Sequence, residues 1–532
     1  MAISAIPFIA VMATPLMIHT HDGPMHIARI PAYYKALIGG QILPRWAGTL
    51  NYGYGLPLFN FYYHLPYLIG SAFVALGVNL AWSFKFSLLA GFLLSGCFMY
   101  LFSLAFFKDT RKALVTTALY QFAPFHLVNI VVRGDIGEVL AMTFLPLVLY
   151  FLVRVFESDN TRPYVMGTGI AAALMILSHS AIGLIYFAVV TLFTLFFAPN
   201  NRKRIEGAFG LGIGLLLTAF FWIPVLFERK YTYGDFFMKD MYKTHFAPIW
   251  YFFIPNLTNS KSLQNGGVDV SFGLMQTVTL LLGVWLAITT KLRNNVRLIL
   301  WFVGILTVGS LFVMTSSSAF LWQHISILRA FQFPWRYLTI TVFALSFLGG
   351  AILVKKSTPA PVFIAIMLVT VCSSIVYWRP PLGFDRINEQ YFWNYPLDTT
   401  FFGETNLVWS AGPEGGYPKA PVELIAGKGT IQDVTKKETK HTFTVVADTN
   451  VQIMDNTQYY PGWRVYSDAK KVDIEFQDQN HRGLITFHLP PGTHHITVSF
   501  GETPVRAAAD AMTAGTIIAI LLSFLFPRKK KR

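Results

Sequence analysis

The sequence is poor in charged residues and almost free of cysteine. Only 13% of its 532 residues are Asp, Glu, Lys or Arg, about half the share found in soluble globular chains. Uninterrupted apolar runs of about twenty residues recur along it instead. These runs exclude a soluble enzyme, a fibrous protein and a disordered chain. The two cysteines, Cys97 and Cys372, lie inside apolar runs, which leaves no disulfide framework and no spaced set of metal ligands.

The chain is hydrophobic and basic. Hydrophobic residues make up 54% of it, aromatic residues 16%, and the net charge is +15. This composition predicts an all-α polytopic membrane protein. Apolar periodicity predicts about twelve spans, at residues 2–18, 82–107, 113–131, 136–156, 164–178, 181–198, 206–227, 271–290, 297–315, 333–354, 359–378 and 508–526.

The basic loops predict which side of the membrane each connection faces, because Lys and Arg concentrate in cytoplasmic loops. All of them fall on one side if residues 19–81 lie wholly on the other, so we expect 64–79 to lie at the outer surface and not to span. The expected location is the plasma membrane, with both termini cytoplasmic. Arg528–Arg532 resembles an anchor for anionic lipid headgroups. The scattered basic residues form no stripe, so no nucleic-acid partner is expected.

The outer segment 379–507 is too long to lack structure of its own. Alternating residues predict strands near 442–446, 451–454, 463–466 and 495–500, with Pro and Gly at the turns between them. The predicted organisation is therefore a transmembrane core over 1–378, an extracytoplasmic β-sandwich-like domain over 379–507, and a last helix with a basic cytoplasmic tail over 508–532.

The first polar group of interest lies at the start of the outer loop 19–81. Asp22 follows the first predicted span and precedes Gly23-Pro24, where a new helix is expected. Its carboxylate could deprotonate a hydroxyl, bind a cation, or cap that helix, and these interpretations are compatible. Together with His19, His21 and His26 it could also ligate zinc, but alternate residues point in different directions and no second cluster completes such a site.

A second polar group is the turn Arg133-Gly134-Asp135, followed by Glu138. Asp135 is expected to cap the helix that begins near 136, with Glu138 in its first turn. Arg133 could form an ion pair or clamp a phosphate. Further outer candidates are His179, Glu228, Arg229, Lys230, Asp235, His245, Arg329 and Arg336. Positive charge on an outer face opposes the usual bias, which makes Arg229, Lys230, Arg329 and Arg336 candidate partners of an anionic group such as a lipid phosphate.

Three stretches carry a family resemblance: "HDGPMHIARIPAYYKALIGG" in the first loop, "VVRGDIGEVLAMTFLPL" at the second polar turn, and "QYYPGWRVYSDAKKVDI" in the β-rich part. They resemble the bacterial YfhO-like and "6-pyruvoyl-tetrahydropterin synthase-related" membrane proteins, which are usually placed in the GT-C superfamily of glycosyltransferases. The resemblance runs over most of the chain. Nothing in the sequence indicates pterin chemistry.

The resemblance implies a GT-C-like transferase that moves a sugar from a polyprenyl-phosphate-linked donor to a glycan or glycolipid hydroxyl on the outer face. Asp22 matches the acidic residue of the first outer loop, and we expect it to be the catalytic base of an inverting reaction. In metal-dependent members further acids bind Mg²⁺ or Mn²⁺; here Asp22, Asp135 and Glu138 match, although many members need no cation. The expected substrate-binding residues are His26, Arg29, Arg133, His179, Arg229 and Arg336.

Two other functions remain open from the sequence. One is a transporter or flippase for a lipid-linked saccharide, although transporters usually carry broken helices and polar sites at the bilayer midplane. The other is a non-catalytic membrane scaffold whose β-domain is a binding module. The scaffold predicts that Asp22 can be replaced without loss of function.

Overall fold

The structure, a computed structural model, describes residues 2–256 and 268–525. It is mostly helical and carries two β-sheets near its C-terminal end, as the sequence predicts. The basic cluster 528–532 lies outside the described residues.

Within the described ranges, seven helices are long and apolar enough to cross a membrane: Leu80–Phe107, Ile136–Glu157, Ser180–Phe197, Asn294–Met314, Pro334–Ile352, Ala360–Tyr377 and Pro504–Leu525. Two bent pairs raise this number to nine. They are Thr110–Gln121 with Pro124–Arg133, bent by 48°, and Asn201–Leu217 with Ala219–Tyr231, bent by 66°. Three of the twelve predicted spans are not among the nine.

Two of those three form helices, but these helices are shorter than a spanning helix. Residues 164–178 belong to the 17-residue helix Arg162–Ser178, which packs between Ile136–Glu157 and Asn201–Leu217. Residues 271–290 form the 16-residue helix Leu274–Thr289. Such helices are about 25 Å long, less than the roughly 30 Å of a bilayer's hydrocarbon core.

The third, 2–18, is not a continuous helix. It contains a short helix Ala2–Ala5, a 3₁₀ turn, a short helix Ile9–Met12 and a strand Met17–Ile18 that pairs with Phe384–Asp385. The Lys85 ammonium donates to the carbonyls of Val11 and Thr14 at 3.1 and 2.5 Å, which satisfies acceptors that an unbroken helix would have paired itself. The prediction of a span here was wrong. The predicted cytoplasmic location of the N-terminus depended on that span, so it is no longer supported.

Residues 19–81, called the first outer segment after the side of the membrane predicted for them, contain the helices Gly23–Ile38, Leu58–Phe61 and Leu65–Ala75. The last has 11 residues and packs against Gly23–Ile38 and Leu80–Phe107. It is too short to cross a bilayer, in agreement with the expectation that 64–79 does not span. Further short helices are Gly234–Met238, Ala319–His324, Ser326–Arg329 and Glu389–Trp393.

The β-rich part contains two antiparallel sheets. One has five strands in the spatial order Gly429–Lys436, Lys440–Ala447, Gly492–Phe500, Trp463–Ser467 and Lys470–Val472. The other has three, in the order Val422–Ala426, Val451–Gln458 and Leu484–Leu489. Alternate residues such as Val445 and Phe487 are buried in one shared core, so the sheets form the predicted sandwich.

That core also contains a residue from the first outer segment. Trp46 is 1% exposed and lies edge-on to Trp463, with ring centroids 5.3 Å apart, and against Phe500 at 5.5 Å. The sandwich and the first outer segment therefore share one hydrophobic core.

Candidate functional site

The site is built around the turn between Arg133 and Asp135. A short π-helix Asn129–Arg133 ends there, and the long helix Ile136–Glu157 begins. Gly134 between them has φ +66°, and a Cβ at this position would collide with the Thr20 hydroxyl. A residue with a side chain is excluded on both counts, so the tight turn that brings Arg133 and Asp135 together depends on this glycine.

The first polar group lies directly against this turn. The backbone N–H groups of His21 and Asp22 donate to the carbonyls of Val132 and Arg133 at 3.0 and 2.8 Å. Asp22 precedes the helix Gly23–Ile38, but its side chain makes no capping hydrogen bond. The Thr20 hydroxyl accepts from the Gly23 N–H instead, at 3.2 Å. The capping interpretation of the Asp22 carboxylate was therefore wrong, and the carboxylate is free for another role.

Two guanidinium groups and three carboxylates meet at the turn. Arg133 contacts Asp135 at 3.0 Å, Glu138 at 2.5 Å and Asp22 at 3.4 Å. Arg336 donates to Glu138 from the other side at 2.8 Å. We call these five residues the acid–arginine cluster. With three carboxylates and two guanidinium groups, the cluster has one more negative than positive charge when all five groups are ionised.

The exposed carboxylate is Asp22. Its side chain is 40% exposed, against 4% for Asp135 and 0% for Glu138. The recess around Asp22 excludes water from much of the carboxylate, which raises its pKa to about 6; Arg133 opposes this shift, and the charges of Asp135 and Glu138 add to it. The group therefore changes protonation close to neutral pH.

Asp135 differs from Asp22 although the two are neighbours. Burial alone would raise the pKa of its carboxyl, but Arg133, His179 and His26 hold that pKa well below its usual range. Its Oδ1 also accepts the N–H of Glu138 at 2.9 Å, which confirms the predicted helix cap. Asp135 is thus a permanent anion that orders the turn.

Two histidines lie beside Asp135. His26 Nε2 lies 3.7 Å from one carboxylate oxygen and His179 Nε2 lies 3.9 Å from the other. Both are buried, and burial lowers the pKa of His26 to about 3 and that of His179 to about 4. They are therefore neutral hydrogen-bonding groups at physiological pH.

Asp135, Glu138 and His179 each place one ligand atom within 4.8 Å of the others, and no further such group occurs in the ranges 2–256 and 268–525. Asp22 is not part of it, and His19 pairs with Asp385 at 2.7 Å. A divalent cation fits this group poorly, because Glu138 is held by two guanidinium groups. The Nδ1 of His179 also accepts an N–H, from Ile182 at 3.3 Å, which leaves its proton on the Nε2 that faces Asp135.

Two predicted substrate-binding residues pair with groups outside both the acid–arginine cluster and the two histidines beside it. Arg29 is buried, and its guanidinium donates to Tyr67 at 3.0 Å and to the hydroxyl and carbonyl of Thr399. It joins the first outer segment to the segment before the sandwich. Arg229 is 40% exposed and pairs with Asp235 at 3.1 Å. The structure brings together His26, Arg133, His179 and Arg336, and not these two.

Several residues that shape the site were not predicted. The Tyr63 ring stacks on His179 at 4.8 Å, and the Tyr67 hydroxyl contacts His26 Nδ1 at 3.2 Å. The Trp335 ring lies under Arg133 at 4.7 Å. Tyr63 and Tyr67 have an i, i+4 spacing in the aromatic part of the first loop, and this spacing could have predicted that they share one helix face. For Trp335 the only sequence signal was its neighbour Arg336.

Comparison with known proteins gives a family match over the greater part of the chain. The model for a 6-pyruvoyl-tetrahydropterin synthase related domain, described as a membrane protein, matches residues 59–380. A protein of unknown function from Lactococcus lactis subsp. cremoris (strain MG1363) is 27% identical over 224 residues, which is 40% of this chain and 36% of that protein.

Three solved structures are similar in outline. Arabinofuranosyltransferase AftD from Mycobacteria is 16% identical with a TM-score of 0.47, over 73% of this chain and 27% of that one. The Archaeoglobus fulgidus oligosaccharyltransferase is 13% identical with a TM-score of 0.45, over 73% and 56%. ArnT from Cupriavidus metallidurans, bound to undecaprenyl phosphate, is 13% identical with a TM-score of 0.35, over 66% and 76%. The chain thus spans about a third of the curated relative and about a quarter of AftD.

Proposed function

This chain belongs to the family of 6-pyruvoyl-tetrahydropterin synthase related membrane proteins, and from that premise we propose that it is a membrane glycosyltransferase. It would transfer a sugar from a polyprenyl-phosphate-linked donor to a hydroxyl of a cell-surface glycan or glycolipid. The observation that carries the proposal is the open Asp22 carboxylate beside a buried, neutralised set of acids and arginines.

Asp22 is proposed as the general base. A base must be accessible to the acceptor hydroxyl and must be ionised at the working pH. Its exposure and its pKa of about 6 meet both needs. The Arg133 guanidinium contacts one oxygen of the Asp22 carboxylate at 3.4 Å, and the Asp22 side chain stays 40% exposed. The carboxylate would remove the hydroxyl proton while that oxygen attacks the anomeric carbon from the face opposite the phosphate, which inverts the configuration.

The leaving phosphate requires positive charge where its own charge develops. Arg133 has both terminal nitrogens in contact with Asn129 and the cluster carboxylates, so it is proposed as a positioning residue. Arg336 uses Nε for Glu138 and Nη1 for Phe331 and Gln332. Its Nη2 has no hydrogen bond among the described residues and is the donor proposed for the phosphate. The proposed reaction uses no metal ion, because both guanidinium groups already pair with Glu138.

The proposed location is the outer face of the plasma membrane. The residues 1–378 would form the transmembrane core, 379–507 the extracytoplasmic part that holds the acceptor, and 508–532 the last helix with a cytoplasmic tail. A lipid-linked donor would approach the cluster from the bilayer, and the acceptor from the aqueous side.

The proposal is tested by Asp22→Asn in the full chain, purified in lipid nanodiscs and assayed against a panel of polyprenyl-phosphate sugars. We expect transfer to fall by a factor of about 10²–10⁴ while thermal stability is retained. Asp385→Asn is the matched control, because Asp385 lies at the neighbouring strand pair, is 50% exposed and is outside the cluster. Equal transfer by the Asp22→Asn variant and the wild type would reject the assigned base.

The same preparation separates the other two functions. Movement of a labelled lipid-linked saccharide across liposomes without a new glycosidic bond would identify a flippase. Binding of a glycan without either activity, unchanged in the Asp22→Asn variant, would identify a scaffold.

A further inference from the structure

A cavity of about 320 Å³ lies away from the acid–arginine cluster, between the first outer segment and the sandwich. Its walls include Lys35 from the helix Gly23–Ile38, Tyr54, Tyr417, and the turn Lys436–Glu438 that begins the hairpin of the five-stranded sheet. The volume is at the lower end of the range for small-molecule sites. Three separate parts of the chain thus enclose one recess.

The charge of this cavity is positive. Lys35, Lys436 and Lys437 face a single acid, Glu438. Lys436 is fixed by the carbonyls of Gly53 and Asn456, at 3.1 and 2.7 Å, and Lys35 by the carbonyl of Trp393 at 2.5 Å. An ammonium has three donors, so both keep capacity for a ligand.

Glu438 balances only part of this charge. Its carboxylate accepts the N–H of Gly48 at 2.7 Å and feels the charges of Lys35 and Lys436, so one acid faces three lysines in the cavity wall. Lys437 is exposed, and no contact of its ammonium occurs in the described part of the chain. The positive charge at the mouth of the cavity is therefore available to an anion.

The remaining walls are aromatic. Tyr417 is 64% exposed, and its ring is held edge-on by Tyr52 at 5.2 Å. Tyr54 is half-buried opposite the lysines. A tyrosine ring offers an apolar face and a polar tip, which suits a sugar ring with apolar C–H faces and hydroxyl edges. Lysines beside such rings suit a sugar that also carries a negative group.

We propose that this cavity is a binding site for an anionic saccharide, in which the tyrosine rings pack on a sugar and the lysines pair with its carboxylate or phosphate. At a rise of 1.5 Å per residue, Lys35 lies about 20 Å from Asp22 along their shared helix. A ligand here would be a remote part of a glycan and not its reacting end. The proposal goes beyond the glycosyltransferase and does not depend on it.

The test is titration of the full chain in detergent with three probes: trigalacturonate, mannose 6-phosphate and neutral maltotriose. We expect at least one anionic probe to bind in competition with added salt, and maltotriose to bind more weakly. Lys437→Glu should weaken the anionic probe about tenfold, because it replaces an attraction by a repulsion at close range. The matched control is Lys428→Glu, an exposed lysine of the same part of the chain that does not line the cavity.

The two anionic probes distinguish a carboxylate source from a phosphate source. Tyr417→Ala is a second variant that removes the exposed ring without changing charge, and it should weaken the same probe. Absence of binding by both anionic probes, or equal effects of Lys437→Glu and Lys428→Glu, would overturn the proposal. Asp22→Asn should leave binding unchanged, so failure of the transferase proposal is seen separately.

Discussion

Two ionic clusters in this molecule each pair a buried arginine with an acid, and they differ in whether a carboxylate stays accessible. In the acid–arginine cluster, Asp22 stays open to solvent, with a single 3.4 Å contact to Arg133. The other cluster is centred on Glu228, whose two carboxylate oxygens each accept two hydrogen bonds. It has no group left to react. In the proposed function the accessible acid is the reactive one, whereas the saturated acid Glu228 attaches parts of the chain to one another.

The Glu228 cluster joins four parts of the chain. Arg506 of the last helix donates at 3.1 Å, Asn60 of the first outer segment at 2.9 Å and Tyr460 of the sandwich at 2.7 Å. Glu228 ends the helix Ala219–Glu228. From sequence alone Glu228 was one of several outer-side candidates, and its position in the structure explains how the sandwich is fixed to the helices.

The largest expected effect on stability is at Glu228. Glu228→Ala removes the nearer counter-charge of the Arg506 guanidinium, which is 0% exposed, and leaves it the part-exposed Glu502 at 3.8 Å. Loss of one partner of a buried pair costs about 3–5 kcal/mol. We expect a clear drop in thermal stability in detergent. Glu475→Ala is the control, since Glu475 forms an exposed pair with His488 and should change stability by less than about 1 kcal/mol. Comparable effects at both sites would contradict the role given to the Glu228 cluster.

Acidification is expected to lower the rate of transfer through the accessible acid, Asp22. Since the pKa of Asp22 is raised to about 6, the ionised base is present above that pH and is lost as the pH falls through it. Transfer should therefore fall about tenfold for each pH unit below 6. A rate profile from pH 5 to 8 at constant ionic strength measures this. A flat profile over that range would show that Asp22 is not the base.

Gly134→Ala should disturb the acid–arginine cluster with a smaller loss of stability. A residue other than glycine at positive φ lowers the free energy of unfolding by about 1–3 kcal/mol. The added Cβ would also collide with Thr20, and we expect the resulting shift to move Asp22 away from Arg133. We expect transfer to fall more than stability does. Gly515→Ala is the control, because a Cβ there meets no atom within 4 Å. A variant with full transfer would show that the turn need not be this tight.

The smallest expected effect is that of a chelator. Arg133 and Arg336 already hold Glu138, so EDTA treatment followed by dialysis should leave transfer unchanged. Recovery of lost activity by Mg²⁺ or Mn²⁺ would instead show that Asp135, Glu138 and His179 rearrange around a cation. Calcium addition serves as the control for a nonspecific ionic effect.

The parts of the fold that depend on local pattern were predictable from the sequence. The strand alternation around Val445 and Val465 gave the sandwich, and Asp135 was recognisable as a cap because capping is decided within a few residues. Asp22 was placed at the start of the loop 19–81, directly before a helix, because Gly23-Pro24 is typical of a helix start.

The parts that depend on distant contacts were not predictable. Residues 2–18 look like a span, but their helix is broken and Lys85, far along the chain, takes up its carbonyls. The sequence around His179 does not link it to Asp135, and the packing of the preceding helix Arg162–Ser178 against Ile136–Glu157 brings the two together. Arg229 and Arg336 were indistinguishable as outer basic residues, and tertiary structure alone separates them.

The insertion of Trp46 has a practical consequence for anyone who wishes to study the sandwich by itself. A shortened polypeptide that begins near the first strand at Val422 would lose this indole, and the rings of Trp463 and Phe500 would surround a hole. An empty space of that size in a core lowers stability by several kcal/mol. The sandwich is thus completed by a side chain from near the opposite end of the polypeptide, and it should be expressed together with the helical part of the same chain.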